Sequence, residues 1–386
     1  MQKSEFPLSD TTLREKMLGA LYGRCAGCIL GVPVENFSVE KMREIAAAGG
    51  MTYPPEDYWT EIENPEGLQY DVEARKNYGR DRLCCAPVDD DTTYVALNLL
   101  LLERYGFEYT LEDTAAIWKE LLPYACTAEE QALNGLNAGK AAEICGENPY
   151  NEWIGAAIRG DAFGYVCAGD PSAAAKLCFN DARLSHRNNG IYGEMFTAGA
   201  VAAAFTAAEP LEAAVTAANL LPDCELKRQL YWAFEESEKI EDYLDARKKI
   251  DERFSDMHCV HTINNMCAVV FALALGKGDF TKNISSSIAI GLDNDCNGAT
   301  VGSIAGACLG VDKIPAYWYR PFHDKFQTYL RGHREFSFAE MAERFVALYK
   351  KRNCIKQDKR GRKTKDLYAK ENKKGRKNKS LISERR

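Results

Sequence analysis

The sequence lacks a hydrophobic run long enough to span a membrane. Its longest uninterrupted apolar stretch covers residues 266–276, whereas a membrane-spanning helix needs about 20 apolar residues. Residues 1–16 contain no apolar segment of the kind found in secretory signals, so we expect a cytoplasmic protein without a membrane partner. Glycine and proline number only 29 and 13 in 386 residues, which excludes collagen-like and low-complexity chains.

Histidine is also scarce, and the motifs of several common enzyme classes are absent. The five histidines form no HExxH zinc motif. The chain has no P-loop, no GxGxxG turn and no GxSxG nucleophile elbow, which argues against nucleotide-binding α/β folds and serine hydrolases. Cys25 and Cys28 have CxxC spacing, but no second pair at zinc-finger spacing accompanies them. We therefore expect the fourteen cysteines to be reduced, packed thiols.

Helical periodicity is the dominant pattern that the sequence does contain. Hydrophobic residues make up 46% of the chain and charged residues 27%, as in ordinary globular proteins. Strand-like alternation is nearly absent, and residues 51–88 show no period, so we expect a long irregular segment there. Apolar spacing and capping residues predict helices over 13–29, 38–49, 94–105, 111–122, 171–179, 194–208, 211–220, 225–238, 262–275, 284–291, 299–309 and 338–349. The sequence thus predicts a single all-α domain over residues 1–350.

Residues 351–386 differ from the rest of the chain in charge. They contain an excess of Lys and Arg, although the whole chain has a formal net charge of −7. We expect a basic tail that is disordered or loosely helical and has no catalytic role. Contact of this tail with nucleic acid or an anionic lipid is a minor alternative, and docking onto the acidic body is another.

Two acidic clusters precede apolar helices in the predicted body. The first is Asp89-Asp90-Asp91, and the second contains Asp293 and Asp295. One aspartate at a helix start is an ordinary N-cap, and either cluster alone could be a capped, solvated helix start. Together, at the edge of an apolar core, they indicate a cation site whose oxygen ligands suit Mg²⁺, Mn²⁺ or Ca²⁺ better than Zn²⁺. Two metals could hold a diol or activate water, although metal-free glycosidase chemistry stays open.

Three short motifs follow one another along the chain. They are GCILGVPVE at residues 27–35, DDDT at residues 89–92, and DNDC at residues 293–296, which a small-residue helix follows. In this order they resemble the motifs of the ADP-ribosylglycohydrolases, which include dinitrogenase-reductase-activating glycohydrolase and the mammalian ADP-ribosyl-acceptor hydrolases. The resemblance covers most of the predicted body and implies a compact, single-domain orthogonal helical bundle.

The same resemblance implies two Mg²⁺ ions, with Mn²⁺ as an alternative. Asp90 and Asp91 would hold the first ion, Glu35 and Asp293 the second, and Asp295 would bridge both. The full set of implied ligands is Glu35, Asp89, Asp90, Asp91, Asp293, Asp295 and Cys296. The ions would hold two hydroxyls of the distal ribose while water replaces the leaving group. Glu35, Asp90 and Asp295 would be the catalytic residues, with Glu35 handling the proton or positioning the water.

Three positions depart from the family pattern. Asp89 stands where relatives have a hydroxyl ligand, and it adds negative charge that could tighten or alter the coordination. Cys296 stands where relatives have threonine, so we expect a Mg²⁺ contact there to be lost or passed to water. Cys28 replaces an aspartate that many relatives carry.

The resemblance also implies that the middle of the chain lines a substrate pocket. Residues 159–170 hold a Gly/aromatic segment, and residues 185–194 begin with a Ser-His pair. The aromatic rings could stack on a base or ribose, and the glycines could bring amides to phosphates. Core packing is the ordinary alternative for the aromatic residues and for the histidine. The candidates are Phe163, Gly164, Tyr165, Gly169, Ser185 and His186.

We therefore expect a Mg²⁺-dependent hydrolase that removes ADP-ribose from a nitrogen or oxygen acceptor. Its partners would be ADP-ribose or an ADP-ribosylated protein or small molecule, and we expect a monomer. One alternative is a glycosidase of the same fold that acts on a free nucleotide or a small ribosyl metabolite. Another is a non-catalytic ADP-ribose-binding or structural relative.

Overall fold

The structure, a computed structural model, describes residues 8–356, and helices account for most of that part of the chain. Two short antiparallel pairs, β1 (Leu68–Gln69) with β2 (Glu73–Ala74) and β3 (Lys325–Gln327) with β4 (Glu335–Ser337), are also present. The helices are α1 (Asp10–Gly31), α2 (Val39–Ala48), α3 (Asp90–Tyr105), α4 (Leu111–Leu121), α5 (Thr127–Asn137), α6 (Ala142–Cys145), α7 (Asp161–Val166), α8 (Pro171–Leu177), α9 (Phe179–Ser185), α10 (Asn188–Ala204), α11 (Pro210–Leu220), α12 (Glu225–Ser237), α13 (Tyr243–Arg253), α14 (Thr262–Gly276), α15 (Phe280–Ile290), α16 (Asn294–Leu309) and α17 (residues 338–356). The predicted all-α fold is confirmed.

Four of the described helices lie outside every predicted range. They are α5, α6, α7 and α13. In α13 only Ala246 and Ile250 are buried, so the helix has almost no apolar period to detect. The two acidic clusters lie at helix starts as predicted, because α3 begins at Asp90 and α16 at Asn294.

Helices α1 and α16 cross in backbone contact within the core. Glycines spaced four residues apart on both helices meet in pairs, which are Gly19 with Gly306, Gly23 with Gly302, and Gly27 with Gly298. A Cβ atom added at Gly27 would lie 1.9 Å from the Gly298 carbonyl oxygen, so a side chain cannot fit there. One turn further, Gly31 packs against the backbone of Asp295. The crossing therefore brings the end of α1 beside the start of α16.

Helix α1 is long and apolar enough on average to span a membrane, although charged residues interrupt its apolar sequence. The segment is Asp10–Val34, and 89% of its most apolar 18-residue stretch is buried inside the protein. Its packing against α16 accounts for this apolar composition.

Residues 51–88 form an irregular segment, as predicted, apart from β1, β2 and a 3₁₀ turn at Arg75–Tyr78. Trp59 anchors the segment, because it is fully buried and its indole Nε1 donates a 2.7 Å hydrogen bond to the carbonyl of Leu30. The same segment carries Tyr70 to the first acidic cluster.

Helix α17 continues to residue 356, beyond the predicted start of the basic tail at residue 351. Arg352 is buried, with its Nη2 atom 3.3 Å from the carboxylate of Asp170, and Lys356 contacts the same carboxylate. This short part of the basic segment therefore packs on the body. The predictions for the remainder, residues 357–386, fall outside the described residues.

All fourteen cysteines lie in the described part of the chain, and all are free thiols. Most of them are buried among apolar side chains, which is the arrangement that the sequence predicted.

Candidate metal centre

Three chain segments converge on the candidate centre, and each ends or begins a helix. After α1 the chain makes a 3₁₀ turn, Val32–Val34, that places Glu35. Asp89 caps α3, since its carboxylate accepts a 3.0 Å hydrogen bond from the amide of Asp91. Asp293 occupies the N-cap position of α16 but makes no side-chain capping bond, so the helix does not use its carboxylate.

The side chains from these segments form a chain of overlapping ligand groups. In each group the three ligand atoms lie within 4.8 Å of one another. The groups are Cys28–Asp89–Asp91, Asp91–Asp295–Cys296, and Glu35–Asp293–Asp295. Asp295 therefore belongs to two groups, and Asp91 also belongs to two. The last group is the set that the family resemblance implied for the second ion.

Several carboxylate oxygens in these groups have no hydrogen-bond partner among the described residues. They are Asp91 Oδ2, Asp293 Oδ1 and Asp295 Oδ1, and all three are buried. A buried carboxylate without a partner is destabilising by several kcal/mol unless a proton or a cation neutralises it. Oxygen ligands converging in this way fit a divalent cation, so the residues present are compatible with the metal dependence that is typical of the family.

Burial and mutual repulsion keep these carboxyls from ionising without a cation. Burial, followed by the charges of Asp293 and Asp90, raises the pKa of Glu35 to about 8. Burial is also the main cause that raises the pKa of Asp91 and of Asp295 well above the usual range of a carboxyl. A divalent cation supplies the missing positive charge and reverses this effect.

Arg24 is a functional-site residue that sequence reasoning missed. Its Nη2 atom lies 3.0 Å from Asp91 Oδ1, its Nη1 atom lies 2.7 Å from Asp161 Oδ2, and all three residues are buried. Nε and Nη2 also donate to the backbone carbonyl of Asp91, at 2.9 and 2.7 Å. Arg24 thus fixes Asp91 by one oxygen and leaves the other unpartnered. The feature of the sequence that could have revealed Arg24 is an arginine within an apolar helix of small residues.

Asp90 lies apart from the three ligand groups. The hydroxyl of Tyr70 donates a 2.7 Å hydrogen bond to Asp90 Oδ1 and approaches Asp89 Oδ2 at 3.3 Å. Asp90 is nevertheless part of the cavity wall beside the centre. Tyr70 was also missed, because it comes from the irregular segment, where no periodicity indicates which side chains face inward.

Amide side chains position the segments that carry Asp293 and Glu35. Asn265 Oδ1 accepts from the Asp293 amide at 3.2 Å and from Asn297 Nδ2 at 2.7 Å, which fixes the start of α16. Asn36 Nδ2 donates to Glu35 Oε1 at 3.0 Å. The sequence did not predict these amides, because the partners of Asn265 are far away in the chain and Asn36 belongs to no motif.

A cavity of about 310 Å³ opens beside the centre. Its wall combines carboxylates with other polar side chains and with apolar and aromatic residues. Its lining residues are Glu35, Asn36, Gln69, Tyr70, Asp90, Cys126, Thr127, Glu129, Trp153, Ile154, Gly155, Ile158, Val260, Asp293, Asp295 and Cys296. Acidic ligands and a substrate-sized space therefore share one site.

The structure places the predicted aromatic pocket residues in the core. Phe163, Gly164 and Tyr165 lie on α7, and both rings are fully buried. The hydroxyl of Tyr165 is 2.9 Å from Ser303 Oγ, and the ring of Phe163 stacks on Tyr109. These three residues are not among the described residues that line the cavity. Packing against neighbouring helices accounts for their apolar character.

The other predicted pocket residues also lie away from the cavity wall of the described chain. Gly169 has φ 74°, so it supplies the left-handed turn before α8. Ser185 Oγ is 2.8 Å from His186 Nδ1, and both residues are fully buried. Burial lowers the pKa of His186 well below its usual range, so the ring is neutral. Trp153, which the cavity does include, comes from the irregular chain between α6 and α7.

Fold and site together define a class of protein: an all-helical domain in which two helix starts hold a buried carboxylate centre beside a cavity. The family model for ADP-ribosylglycohydrolase matches residues 9–354 of the chain. The chain belongs to the ADP-ribosylglycohydrolase family. Membership of this family implies hydrolase activity in general terms.

The solved structures agree with this fold. A structure described as an ADP-ribosylglycohydrolase-related protein complex aligns with a TM-score of 0.58 and 19% sequence identity. The alignment covers 88% of this chain and 99% of that one. No curated protein sequence gives a significant match. At this identity the likeness demonstrates the fold, and the chemistry depends on the site.

Proposed function

We propose that the protein is a metal-dependent glycohydrolase that cleaves the ribosyl glycosidic bond of ADP-ribosylated substrates and releases ADP-ribose from its acceptor. Family membership supports the general chemistry. The observation that carries the proposal is the chain of ligand groups with unpartnered, buried oxygens at the wall of a cavity. A structural protein gains nothing from retaining so many uncompensated carboxyls in its core.

The centre would hold two divalent cations, and the family resemblance suggests Mg²⁺ with Mn²⁺ as the alternative. Glu35 and Asp293 would hold one ion, Asp91 the other, and Asp295 both. When bound, such ions hold and polarise substrate oxygens and make water a better nucleophile. Arg24 and Asn265 keep the ligands oriented, since Arg24 bonds to Asp91 and Asn265 accepts from the Asp293 amide.

Glu35 is the residue best placed to handle a proton. It lies on the cavity wall, and Asn36 holds one of its carboxylate oxygens. Without metal, burial and the charges of Asp293 and Asp90 raise its pKa to about 8, and bound cations would lower this pKa and favour the carboxylate that can accept a proton. Glycosidic cleavage passes through a cation-like sugar, which nearby carboxylates stabilise. Glu35 would therefore orient the attacking water and accept its proton.

The size of the cavity favours a second candidate substrate. A volume of about 310 Å³ is near the lower limit of small-molecule pockets. A small ribosyl metabolite or a free nucleotide would fit this space more completely than a large acceptor. The same ligand groups would perform the cleavage in either case.

Calorimetric titration of ADP-ribose into the full-length protein tests the proposal, first with Mg²⁺ and then with EDTA. We expect binding that requires the metal and that disappears in Asp295→Asn. The matched control is Asp279→Asn, which changes an exposed helix-capping aspartate outside the centre. Binding unaffected by EDTA, or no binding in either condition, would refute the ADP-ribose assignment. Metal-dependent binding would then be followed by assays for release of ADP-ribose from modified acceptors.

A further inference from the structure

Two thiols border the carboxylate centre, and they differ in their access to the cavity. The Sγ atom of Cys296 groups with carboxylate oxygens of Asp91 and Asp295, and Cys296 lines the cavity. The Sγ atom of Cys28 groups with Asp89 and Asp91, but Cys28 is fully buried and is not part of the cavity wall. Cys296 therefore faces the cavity, whereas Cys28 does not.

The ligand groups that share Asp295 differ in chemical softness. Glu35, Asp293 and Asp295 offer only oxygen, which suits Mg²⁺ or Mn²⁺. The group of Asp91, Asp295 and Cys296 offers oxygen and sulfur. A thiolate is a poor ligand for Mg²⁺ but a good one for Zn²⁺, Co²⁺ or Fe²⁺. The two halves of the centre are thus matched to different ions.

The oxygens of the mixed group point to a ligand independently of the thiol. Asp91 Oδ2 and Asp295 Oδ1 are buried and lack a hydrogen-bond partner among the described residues. Arg24 occupies the other oxygen of Asp91, so Oδ2 is the oxygen that is left for an ion. The Sγ atom of Cys296 lies within 4.8 Å of a carboxylate oxygen of Asp91 and of Asp295, which places sulfur and oxygen around the same point.

We propose that the centre is asymmetric: Glu35, Asp293 and Asp295 take a hard ion, and Asp91, Asp295 and Cys296 take a softer transition-metal ion that Cys296 ligates. The metal–sulfur bond forms as the thiol proton leaves to solvent, and the oxidation state of the metal does not change. This inference rests on the metal centre of the proposed function but does not depend on its substrate.

Cobalt provides a direct spectroscopic test on the intact, metal-free protein. Co²⁺ bound to a thiolate shows a ligand-to-metal charge-transfer band in the near ultraviolet, whereas Co²⁺ bound only to oxygen does not. We expect the band in the wild-type protein and in Cys28→Ser, and we expect its loss in Cys296→Ser. Calorimetry should still detect Co²⁺ binding to Cys296→Ser through the oxygen ligands. In that variant the affinity for Zn²⁺ should fall at least about tenfold, and that for Mg²⁺ much less.

The outcomes separate this inference from the proposed function. Co²⁺ binding to the wild type without a charge-transfer band would overturn Cys296 ligation and leave the metal-dependent glycohydrolase standing. A band that survives in Cys296→Ser and disappears in Cys28→Ser would assign the thiol ligand to Cys28 and overturn the proposal. A failure of the wild type to bind Co²⁺, Zn²⁺ or Mg²⁺ would overturn both. Thermal unfolding of each variant without metal shows whether the substituted chain is folded.

Discussion

The protein buries two groups of carboxylates, and they are neutralised in different ways. In the first, Arg159 contacts Glu129 at 2.5 Å, Asp181 at 2.6 Å and Glu194 at 3.5 Å, and all four residues are buried. The guanidinium also lies over the ring of Trp118, at 5.1 Å. In the candidate metal centre, by contrast, Arg24 pairs with one carboxylate, Asp91.

This difference shows how a buried acidic cluster can be classified from structure. Around Arg159 the chain itself supplies the cation, and the cluster joins α5, α9 and α10 to the segment before α7. Around Asp295 the ligand atoms lie within 4.8 Å of one another in groups beside a cavity, and no such group among the described residues includes a member of the Arg159 cluster. Unpartnered oxygens do not separate the clusters, because Asp181 and Glu194 also have them, and Glu129 lines the same cavity. We therefore interpret the first cluster as structural and the second as a site for external cations.

The largest expected effect follows from removing the shared ligand of the metal centre. Asp295→Asn should lower glycohydrolase activity by at least about 10³-fold and abolish divalent-cation binding, because Asp295 belongs to two ligand groups. The metal-free protein should keep its stability or gain some, since a carboxyl that is costly to ionise in the core is replaced by a neutral amide of similar size. ADP-ribose release and calorimetry measure the losses, and urea unfolding measures the stability. Substantial residual activity would contradict the bridging role.

Replacing Arg159, the cation of the first cluster, should lower the stability of the protein and leave cation binding intact. Arg159→Met should reduce the free energy of unfolding by about 3–5 kcal/mol, because it leaves buried carboxylates without a cation. Cation binding at the metal centre should persist at temperatures where the variant is folded. The matched control is Arg104→Met, which breaks the exposed ion pair with Glu120 and should cost at most about 1 kcal/mol. If the two substitutions lower the free energy of unfolding equally, Arg159 does not neutralise buried carboxylates as proposed.

Added metal should stabilise the folded protein by binding at the metal centre and not at the Arg159 cluster. At a free concentration about 100 times its Kd, a divalent cation should raise the free energy of unfolding by about 2.7 kcal/mol. The increase should be absent in Asp295→Asn and present in Glu129→Gln, which alters the Arg159 cluster. Thermal unfolding with and without EDTA measures it. A metal effect that survives in Asp295→Asn would place the cation elsewhere.

The effect expected to be smallest per pH unit concerns the Arg159 cluster. Burial raises the pKa of Glu129 to about 7, so the folded state holds a proton that the unfolded state releases near its ordinary pKa. This contribution is complete below pH about 4.5 and is lost as pH rises through about 7, with a slope of at most about 1.4 kcal/mol per pH unit. Glu129→Gln should flatten the pH dependence of urea unfolding in this window. An unchanged slope would show that Glu129 stays ionised.

Much of the candidate centre was accessible from the sequence because its signals are local. Glu35, Asp293 and Asp295 lie within short motifs at helix ends, and the spacing of the motifs does not matter for detecting them. The residues that orient them were not accessible. Arg24 and Tyr70 contact their carboxylates only after remote segments have packed together.

The sequence by itself determined the helical class and the acidic helix starts, since periodicity and capping depend on residues a few positions apart. Tertiary structure alone decided which polar groups share a site. The glycine contacts of α1 and α16 bring Glu35 beside Asp295. Packing also decided that Cys296 lines a cavity and that Phe163 lies in the core. Those outcomes depend on distances between segments far apart in the chain, and burial then sets their charges through desolvation.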